Sequence, residues 1–223
     1  MQFRHEVKHE ISFADAAAVR ARLRAVCKPD GNAKDGRYFI RSLYFDTPDD
    51  RALREKLDGV RDREKFRIRL YNNDSSFVRL EKKVPRGSLG YKLSERLSID
   101  EAQTLADGKC EWAKEDSRPL LRELYAKSKL TGLGAKTVVD YTREAYVFSA
   151  GNVRVTLDYN IRTGLFGKEL IGGDMPTLPV PDSPIIMEVK WDNFLPSVIR
   201  DIVQLDGRRA GAFSKYAACR QYD

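Results

Sequence analysis

The sequence predicts a single antiparallel α+β domain, and three observations support this prediction. Segments in which apolar and charged residues alternate recur about eight times, and segments with apolar residues at helical spacing lie between them. The 223 residues are enough to bury a substantial core. The chain contains no internal repeat, low-complexity tract or Pro/Ser-rich linker that would mark a boundary. One domain over residues 1–223 is therefore expected.

The composition is that of a globular but heavily charged protein. Hydrophobic residues make up 42% and charged residues 33%, and 40 Lys and Arg against 33 Asp and Glu give a net charge of +7. This balance favours polyanionic partners. The three cysteines are far apart, which argues against a disulfide framework and suits a reducing compartment. With no apolar run near the roughly 20 residues of a bilayer span and no signal peptide, a cytoplasmic location is expected.

The first third of the chain predicts two strands, each followed by a helix. FRHEVKHEIS is typical of a strand, and Ser12 with Asp15 resembles a capping box that opens a helix ending near Cys27. A loop rich in Gly, Asn and Asp leads to the strand RYFIRSLYFDT. Thr47-Pro48 then predicts the start of a helix that stops at Gly59.

The middle of the chain predicts three consecutive strands. EKFRIRLYN and SFVRLEKKV are joined by the turn residues Asn72, Asn73 and Asp74. Gly87 and Gly90 mark a second turn before the segment YKLSERLS. Antiparallel pairing is expected because these connections are short.

The last part of the chain predicts helices on either side of a long hairpin. Ser98 with Glu101 caps a short helix, and RPLLRELYAKSKL forms another. KTVVDYTREAYVFSA and VRVTLDYNI form the hairpin around Gly151-Asn152, and IIMEVKW is a further strand. LPSVIRDIVQL and AFSKYAACRQY are expected to be closing helices, and residues 161–183 are expected to be partly a loop.

The segment KFRIRLY places Lys65, Arg67 and Arg69 on one face of a strand and apolar residues on the other. The same two-residue spacing aligns Glu6 with Lys8, Arg79 with Glu81 and Lys83, Arg154 with Asp158, and Glu188 with Lys190. The opposite faces are apolar, although Phe77 is out of phase with Val78 and Leu80. Two interpretations follow: an open sheet with a solvated charged face, or a sheet curled into a barrel with its charges inside and helices outside.

A barrel interior of this kind would be rich in cations. Its positive groups would be Lys8, Lys65, Arg67, Arg69, Arg79, Lys83, Lys92, Arg143, Arg154, Lys190 and Lys215, against the carboxylates Glu6, Glu81, Asp158 and Glu188. An unpaired ion in a dry interior costs on the order of several kcal/mol, so a wet cavity and an oligophosphate ligand are expected. Glu188 could hold Mg²⁺ or Mn²⁺ or could simply pair with Lys190.

Several motifs occur in the order found in a known family. They are EVK, SLYFDT, KFRIRLY, RLEKK followed by YK, YTREAY, VRVTLD, MEVKW and FSKY, which together run from about residue 3 to residue 220. In this order they resemble the VTC domain. That domain is the catalytic part of vacuolar transporter chaperone polyphosphate polymerases, within the triphosphate tunnel metalloenzyme superfamily.

The resemblance implies an α+β fold with an eight-stranded antiparallel β tunnel barrel, a basic lumen and helices packed outside. It implies a metal-dependent polymerase that transfers the γ-phosphoryl group of ATP to a growing polyphosphate chain, with Mn²⁺ or Mg²⁺ as cofactor. The catalytic residues it implies are Lys8, Arg67, Arg69, Lys83, Lys92, Arg143, Arg154, Lys190 and Lys215. Glu188 is the expected metal ligand, and Lys56, Lys65 and Arg79 are expected to help bind the triphosphate.

The sequence departs from the wider superfamily in its first strand. Where Glu-x-Glu-x-Lys is usual, this chain has Arg4, Glu6 and Lys8, which favours the VTC branch over two-metal hydrolysis. The SPX domain and transmembrane segments of the eukaryotic polymerases do not occur, so a separate membrane partner is a further expectation. A tunnel triphosphatase and a non-catalytic polyphosphate-binding or polyanion-binding module stay open as alternatives, and nucleic acid is not expected as a partner.

Several tyrosines recur near the basic positions, namely Tyr44, Tyr71, Tyr91, Tyr141 and Tyr216. Most are expected to pack or to form hydrogen bonds. One or two of these rings could stack on an adenine at a mouth of the tunnel.

Overall fold

The computed structural model describes residues 4–31, 33, 35–86, 89–170, 176–205 and 207–222. The strands are β1 (His5–Ile11), β2 (Lys28–Pro29), β3 (Arg37–Asp46), β4 (Lys65–Tyr71), β5 (Val78–Arg86), β6 (Leu89–Leu97), β7 (Gly134–Phe148), β8 (Val153–Thr163), β9 (Leu178–Pro179) and β10 (Ile185–Trp191). The α-helices are α1 (Phe13–Val26), α2 (Arg51–Leu57), α3 (Ile99–Ala106), α4 (Pro119–Thr131), α5 (Ser197–Val203) and α6 (Lys215–Cys219). Glu111–Glu115 and Ala150–Asn152 form 3₁₀ turns.

Most predicted elements are confirmed, and the two predicted capping boxes are present. Ser12 and Asp15 exchange hydrogen bonds at the start of α1, and Ser98 and Glu101 do so at the start of α3. The predicted turn residue Gly87 and part of the stretch 161–183 lie outside the described residues. Within the helices that are described, none is long and apolar enough to cross a membrane.

The strands form one antiparallel sheet in the order β1-β10-β8-β7-β3-β4-β5-β6, with β2 added to β7 and β9 added to β8. The predicted α+β tunnel fold is confirmed, with eight long strands in this path. Among the described residues, no backbone hydrogen bonds join β1 to β6 at the two ends of the path. The seam is bridged by side chains instead, because Lys83 Nζ of β5 lies 3.1 Å from Glu6 Oε2 of β1. The sheet therefore curls into a tunnel-like shape without a closed ladder.

Helices cover the convex face of the sheet in two places. One cluster packs α3 and α4 on Phe66, Ile68 and Leu80 of β4 and β5. The other packs α1 and α5 on β8 and β10, where Val155 and Met187 are fully buried. Burial of this apolar face under the helices stabilises the fold by roughly 25 cal/mol per Å². The apolar face therefore lies outside, under the helices, and the charged face lies inside.

Helix α6 differs from the other helices because it packs on the concave face. The ring of Tyr216 stacks on Tyr44 of β3 with centroids 5.0 Å apart, and Tyr216 Oη donates to Asp46 Oδ2 at 2.7 Å. These residues belong to a third apolar cluster, which also includes Ile40 and Tyr141. This inner cluster fixes α6 and carries Lys215 into the interior.

The predicted start of the second helix is wrong by three residues. Helix α2 begins at Arg51, because Asp46 and Thr47 act as its caps from the end of β3. The Asp46 carboxylate accepts from the backbone N–H groups of Ala52 and Leu53, and Thr47 Oγ1 accepts from that of Arg51. Side-chain acceptors that lie several residues before the helix therefore determine where it begins, and the proline does not occupy its first position.

Candidate active site

The three cations of KFRIRLY point into the tunnel-like interior. Phe66, Ile68 and Leu70 between them are fully buried under the outer helices. Across the strands, Lys65 pairs with Lys83, Arg67 with Glu81, and Arg69 with Arg79. Residues paired across an antiparallel ladder lie on the same face of the sheet. This row of charged groups therefore lies on the concave face.

The remaining strand candidates fall on the same concave face. In the ladders, Lys8 pairs with Glu188, Glu6 and Arg154 both pair with Lys190, Arg143 with Asp158, and Lys83 with Lys92. Lys215 reaches the interior from α6. The structure thus brings together on one surface twelve of the residues that the sequence proposed for the site: Lys8, Lys65, Arg67, Arg69, Arg79, Lys83, Lys92, Arg143, Arg154, Glu188, Lys190 and Lys215. Lys56 lies half-buried in α2, where burial and the positive charges of Arg63 and Lys8 lower its pKa.

Glu81 is the buried counter-ion of the cations on β4. Its carboxylate, only 1% exposed, accepts from Arg67 Nε at 2.8 Å and Nη2 at 2.7 Å, and from Lys92 Nζ at 2.8 Å. Burial raises the pKa of Glu81, but the charges of Arg67, Arg69 and Lys92 outweigh it and hold the pKa far below its usual range. Arg69 has no carboxylate within 3.5 Å in the described structure, and it donates to Ser42 Oγ and Tyr141 Oη at 3.1 Å. Arg69 is thus the more available of the two arginines for an anion.

A second ionic cluster joins β1 and β10. Lys8 Nζ lies 3.0 Å from Glu6 and 3.6 Å from Glu188, and Lys190 Nζ lies 3.0 Å from Glu188 and 3.6 Å from Glu6. Burial opposes ionisation of Glu188, yet Lys190, Lys8 and Arg143 keep its pKa well below the usual range. Both carboxylates are therefore anionic at neutral pH.

A third cluster centres on Asp158 of β8. This fully buried carboxylate accepts from Arg143 Nε and Nη2 at 2.6 Å, and from Lys215 Nζ at 2.7 Å. Burial raises its pKa, but Arg143 and Lys215 lower it to about 2. The Lys215 ammonium also lies 4.6 Å from the centre of the Tyr141 ring. Asp158 therefore positions both cations, one from the sheet and one from α6.

The carboxylates of Glu6 and Glu188 fit a hard divalent cation. They contact the same two lysines, Lys8 and Lys190, and they supply only oxygen donors, as Mg²⁺ and Mn²⁺ prefer. Among the described residues, no group of three or more acidic, His or Cys side chains converges on one point. Two protein carboxylates would thus leave coordination positions for phosphate oxygens. The sequence interpretation named Glu188 alone as a metal ligand and counted Glu6 only among the carboxylates of the interior.

Lys65 is a lysine of the interior whose pKa is lowered by its surroundings. Burial lowers the pKa of Lys65 to about 8, and the positive charges of Arg63, Lys56 and Lys8 act in the same direction. The charge of Tyr44 acts in the opposite direction and raises it. Burial raises the pKa of Tyr44, but Arg67, Arg69 and Lys65 bring it down to about 8. Lys65 Nζ has a weak contact to Ser214 Oγ at 3.4 Å. The positive charge near Lys65 and Tyr44 therefore falls as pH rises through 8.

We expect binding of ATP in the absence of metal to weaken above pH 8. Below that pH, Lys65 is protonated and Tyr44 neutral; above it, the lysine loses its charge and the phenol becomes an anion. Between pH 7.5 and 9.5 the ATP phosphates keep a constant charge, so the fall in affinity reports the protein. Calorimetry should show a decrease of about tenfold, with proton uptake on binding near pH 8. Lys65→Gln together with Tyr44→Phe should remove the pH dependence, and an unchanged slope in that double variant would contradict the assignment.

Two cavities lie outside this interior. One of about 390 Å³ is lined by residues of α2 and α4, including Arg51 and Lys127, and one of about 350 Å³ lies between α1 and β7, beside Arg24 and Glu144. Neither contains a candidate site residue from the concave face.

Comparison with known proteins agrees with the geometry. A family model for the VTC domain matches residues 3–222. HpAC1 from Hippeastrum, a protein named for adenylyl cyclase and described as having a dominant triphosphatase activity, is 15% identical, with coverage of 100% of this chain and 96% of that chain and a TM-score of 0.54. No curated protein sequence matches the chain significantly.

Two further solved structures share the fold. The PH1819 protein from Pyrococcus horikoshii OT3 is 12% identical, with 99% of each chain covered and a TM-score of 0.52. A protein from Bacillus halodurans named for adenylate cyclase is 16% identical, with 85% of this chain and 82% of that chain covered and a TM-score of 0.52. At such identities the likeness concerns the fold alone, which is that of triphosphate tunnel metalloenzymes.

Proposed function

Because the chain belongs to the VTC domain family, we propose that it is a metal-dependent polyphosphate polymerase. It would transfer the γ-phosphoryl group of ATP to the end of a growing polyphosphate chain. The observation that carries this proposal is the convergence of cations from many strands and from helix α6 on one concave face. A linear phosphate chain has the charge density to replace the internal carboxylates as their partner.

Arginines of the strands would clamp the triphosphate. Arg69 faces the interior, where its hydrogen-bond partners are the hydroxyl groups of Ser42 and Tyr141 and Glu81 lies at 3.9 Å. Arg67 shares its guanidinium between Glu81 and Tyr44 Oη, which lies 3.2 Å from Nη1. Arg143 lies on β7, which is separated from β4 by β3, and it is fixed by Asp158. Phosphoryl transfer depends mainly on positioning and on neutralising the equatorial oxygens, and bidentate guanidinium groups supply both.

Glu188 and Glu6 would hold the divalent metal, which would supply positive charge at the phosphate oxygens. Lys8 and Lys190, which contact the same two carboxylates, would orient the phosphates beside it. Lys215 would guide the polyphosphate acceptor, since α6 carries it into the interior. An ionised terminal phosphate needs no general base. This agrees with the scarcity of histidine in the chain.

Hydrolysis of triphosphate is the second candidate, and the HpAC1 description is the observation in its favour. One feature of the first strand supports the polymerase instead. Arg4, at the position of a usual carboxylate, forms an ion pair with Asp192 at 2.8 Å. A second carboxylate is therefore missing where a two-metal hydrolytic site would require it. A cytoplasmic location and a membrane partner that receives the polymer are further parts of the proposal.

The test is incubation of the purified protein with ATP and Mn²⁺ or Mg²⁺. The polymerase predicts long polyphosphate chains on a gel and stoichiometric ADP. Free phosphate without polymer would identify a triphosphatase. Binding of polyphosphate with neither product would identify a non-catalytic module and overturn the proposal.

A further inference from the structure

Three aromatic residues break the polar pattern of the concave face at one end of the sheet. Phe77 precedes β5 in phase with Arg79, although a charged residue would continue the alternation. Tyr71 ends β4 in phase with Arg69, and Tyr38 lies near the start of β3. The register brings these strand ends together, since Tyr71 pairs with Ile40. We call Tyr38, Tyr71 and Phe77 the aromatic rim.

The rings of the aromatic rim contact one another in sequence. Tyr38 and Tyr71 meet edge to face with centroids 5.7 Å apart, and Tyr71 and Phe77 lie 6.0 Å apart at an interplanar angle of 52°. Phe77 keeps 38% of its surface exposed, whereas Tyr38 is buried. The half-buried Tyr71 ring lies between the exposed Phe77 and the buried Tyr38, and the position of Phe77 at a strand end places it at the boundary with solvent.

Each ring of the rim is accompanied by a cation of the interior. The Arg79 guanidinium lies 4.6 Å from the Phe77 ring centre, and the Arg69 guanidinium lies 6.0 Å from that of Tyr71. Arg154 donates to Tyr38 Oη. The aromatic rim thus adjoins the row of cations that would clamp the triphosphate.

We propose that the aromatic rim binds the base of the nucleoside triphosphate, which stacks on Phe77 while the phosphates extend past Arg69 toward Arg67. The inference rests on the proposed function, because it requires the interior to bind the triphosphate. Every base presents a π-face, and stacking is tolerant of base identity. ATP and GTP are therefore expected to bind alike, and both more tightly than inorganic triphosphate.

The proposal also sets the direction of the reaction in the tunnel. With the base at the rim, the γ-phosphate lies deeper in the interior, toward Lys65 and Lys83 at the opposite ends of β4 and β5. The acceptor chain would approach from that side, because in-line transfer needs the attacking and leaving oxygens on opposite sides of the phosphorus.

Calorimetry without metal tests the inference by comparing ATP with inorganic triphosphate. Phe77→Ala should weaken ATP binding about tenfold and leave triphosphate binding unchanged, whereas Phe77→Trp should retain ATP binding. Phe13→Ala is the matched control, because Phe13 is 82% exposed on the outer helix α1. A fluorescent ethenoadenosine triphosphate should be quenched by the wild type and by the Phe13 variant, but much less by Phe77→Ala.

The outcomes separate this inference from the proposed function. If the wild type binds triphosphate as tightly as ATP, or if Phe77→Ala weakens both ligands equally, the rim does not bind the base although the tunnel still binds phosphate. If the wild type binds neither ligand, the proposed function fails and the inference fails with it.

Discussion

Arg67→Glu is expected to abolish triphosphate binding and to lower the free energy of unfolding by about 3 kcal/mol. The alternating pattern of β4 alone predicts that the fold survives this reversal. The structure predicts otherwise, because Arg67 supplies two of the hydrogen bonds to Glu81, which is 1% exposed. The variant places two carboxylates side by side and leaves Lys92 as the close cation.

A charge swap separates the two effects of this reversal. Arg67→Glu combined with Glu81→Arg restores an ion pair between neighbouring strands, so urea denaturation should show that most of the lost stability returns. In the single variant Arg67→Glu, calorimetry below the unfolding transition should show a triphosphate affinity at least about a hundredfold weaker than that of the wild type. Wild-type affinity in Arg67→Glu would exclude this residue from the clamp.

Glu188→Gln is expected to reduce metal-dependent turnover by about a hundredfold or more while preserving the fold. Each cation around Glu188 has a second carboxylate: Glu6 for Lys8 and Lys190, and Asp158 for Arg143. The loss of one anion therefore leaves none of these groups unpaired. ATP binding without metal should be retained or strengthened, because the interior becomes more positive.

The measurement combines turnover in Mn²⁺ with calorimetry in EDTA. Glu10→Gln is a suitable control, since Glu10 is an exposed carboxylate on the same strand as Glu6. Normal turnover of Glu188→Gln in Mn²⁺ would rule out the metal assignment. Loss of ATP binding in EDTA would instead indicate that Glu188 supports the structure of the site.

Local signals in the sequence predict most of the helices and strands. The capping boxes at Ser12 and Ser98 are satisfied within four residues, so sequence spacing is enough to place them. The start of α2 was missed because its backbone N–H groups are bound by Asp46, the last residue of β3, and by Thr47, which follows it. The two-residue strands β2 and β9 are too short to show any periodicity.

The alternation shows which residues share a face of each strand. It does not show whether the charged face points to solvent or to the interior. A charged face is equally compatible with solvent and with a wet interior until the outer helices are known to cover the apolar side. The partner of each charge is also a tertiary property. Asp158 binds Arg143 from the adjacent strand and Lys215 from α6, which lies 57 residues away in the chain.

The position of α6 shows the same limit. The segment KYAAC carries one lysine and small or aromatic residues, a composition that fits either face of a sheet. Its place on the concave side is decided by the stacking of Tyr216 on Tyr44 and by the hydrogen bond to Asp46. Those contacts join residues about 170 positions apart, and no local pattern encodes them.

In the proposed function, the unclosed edge between β1 and β6 would link the passage of polyphosphate to the width of the tunnel. Lys83 is both a tether to Glu6 and a group that faces the bore. An incoming phosphate that attracts this ammonium would break the ion pair with Glu6. The edge between β1 and β6 would then be free to open as the phosphate chain enters. A closed β-barrel could not open in this way, because backbone hydrogen bonds between all its strands fix its circumference.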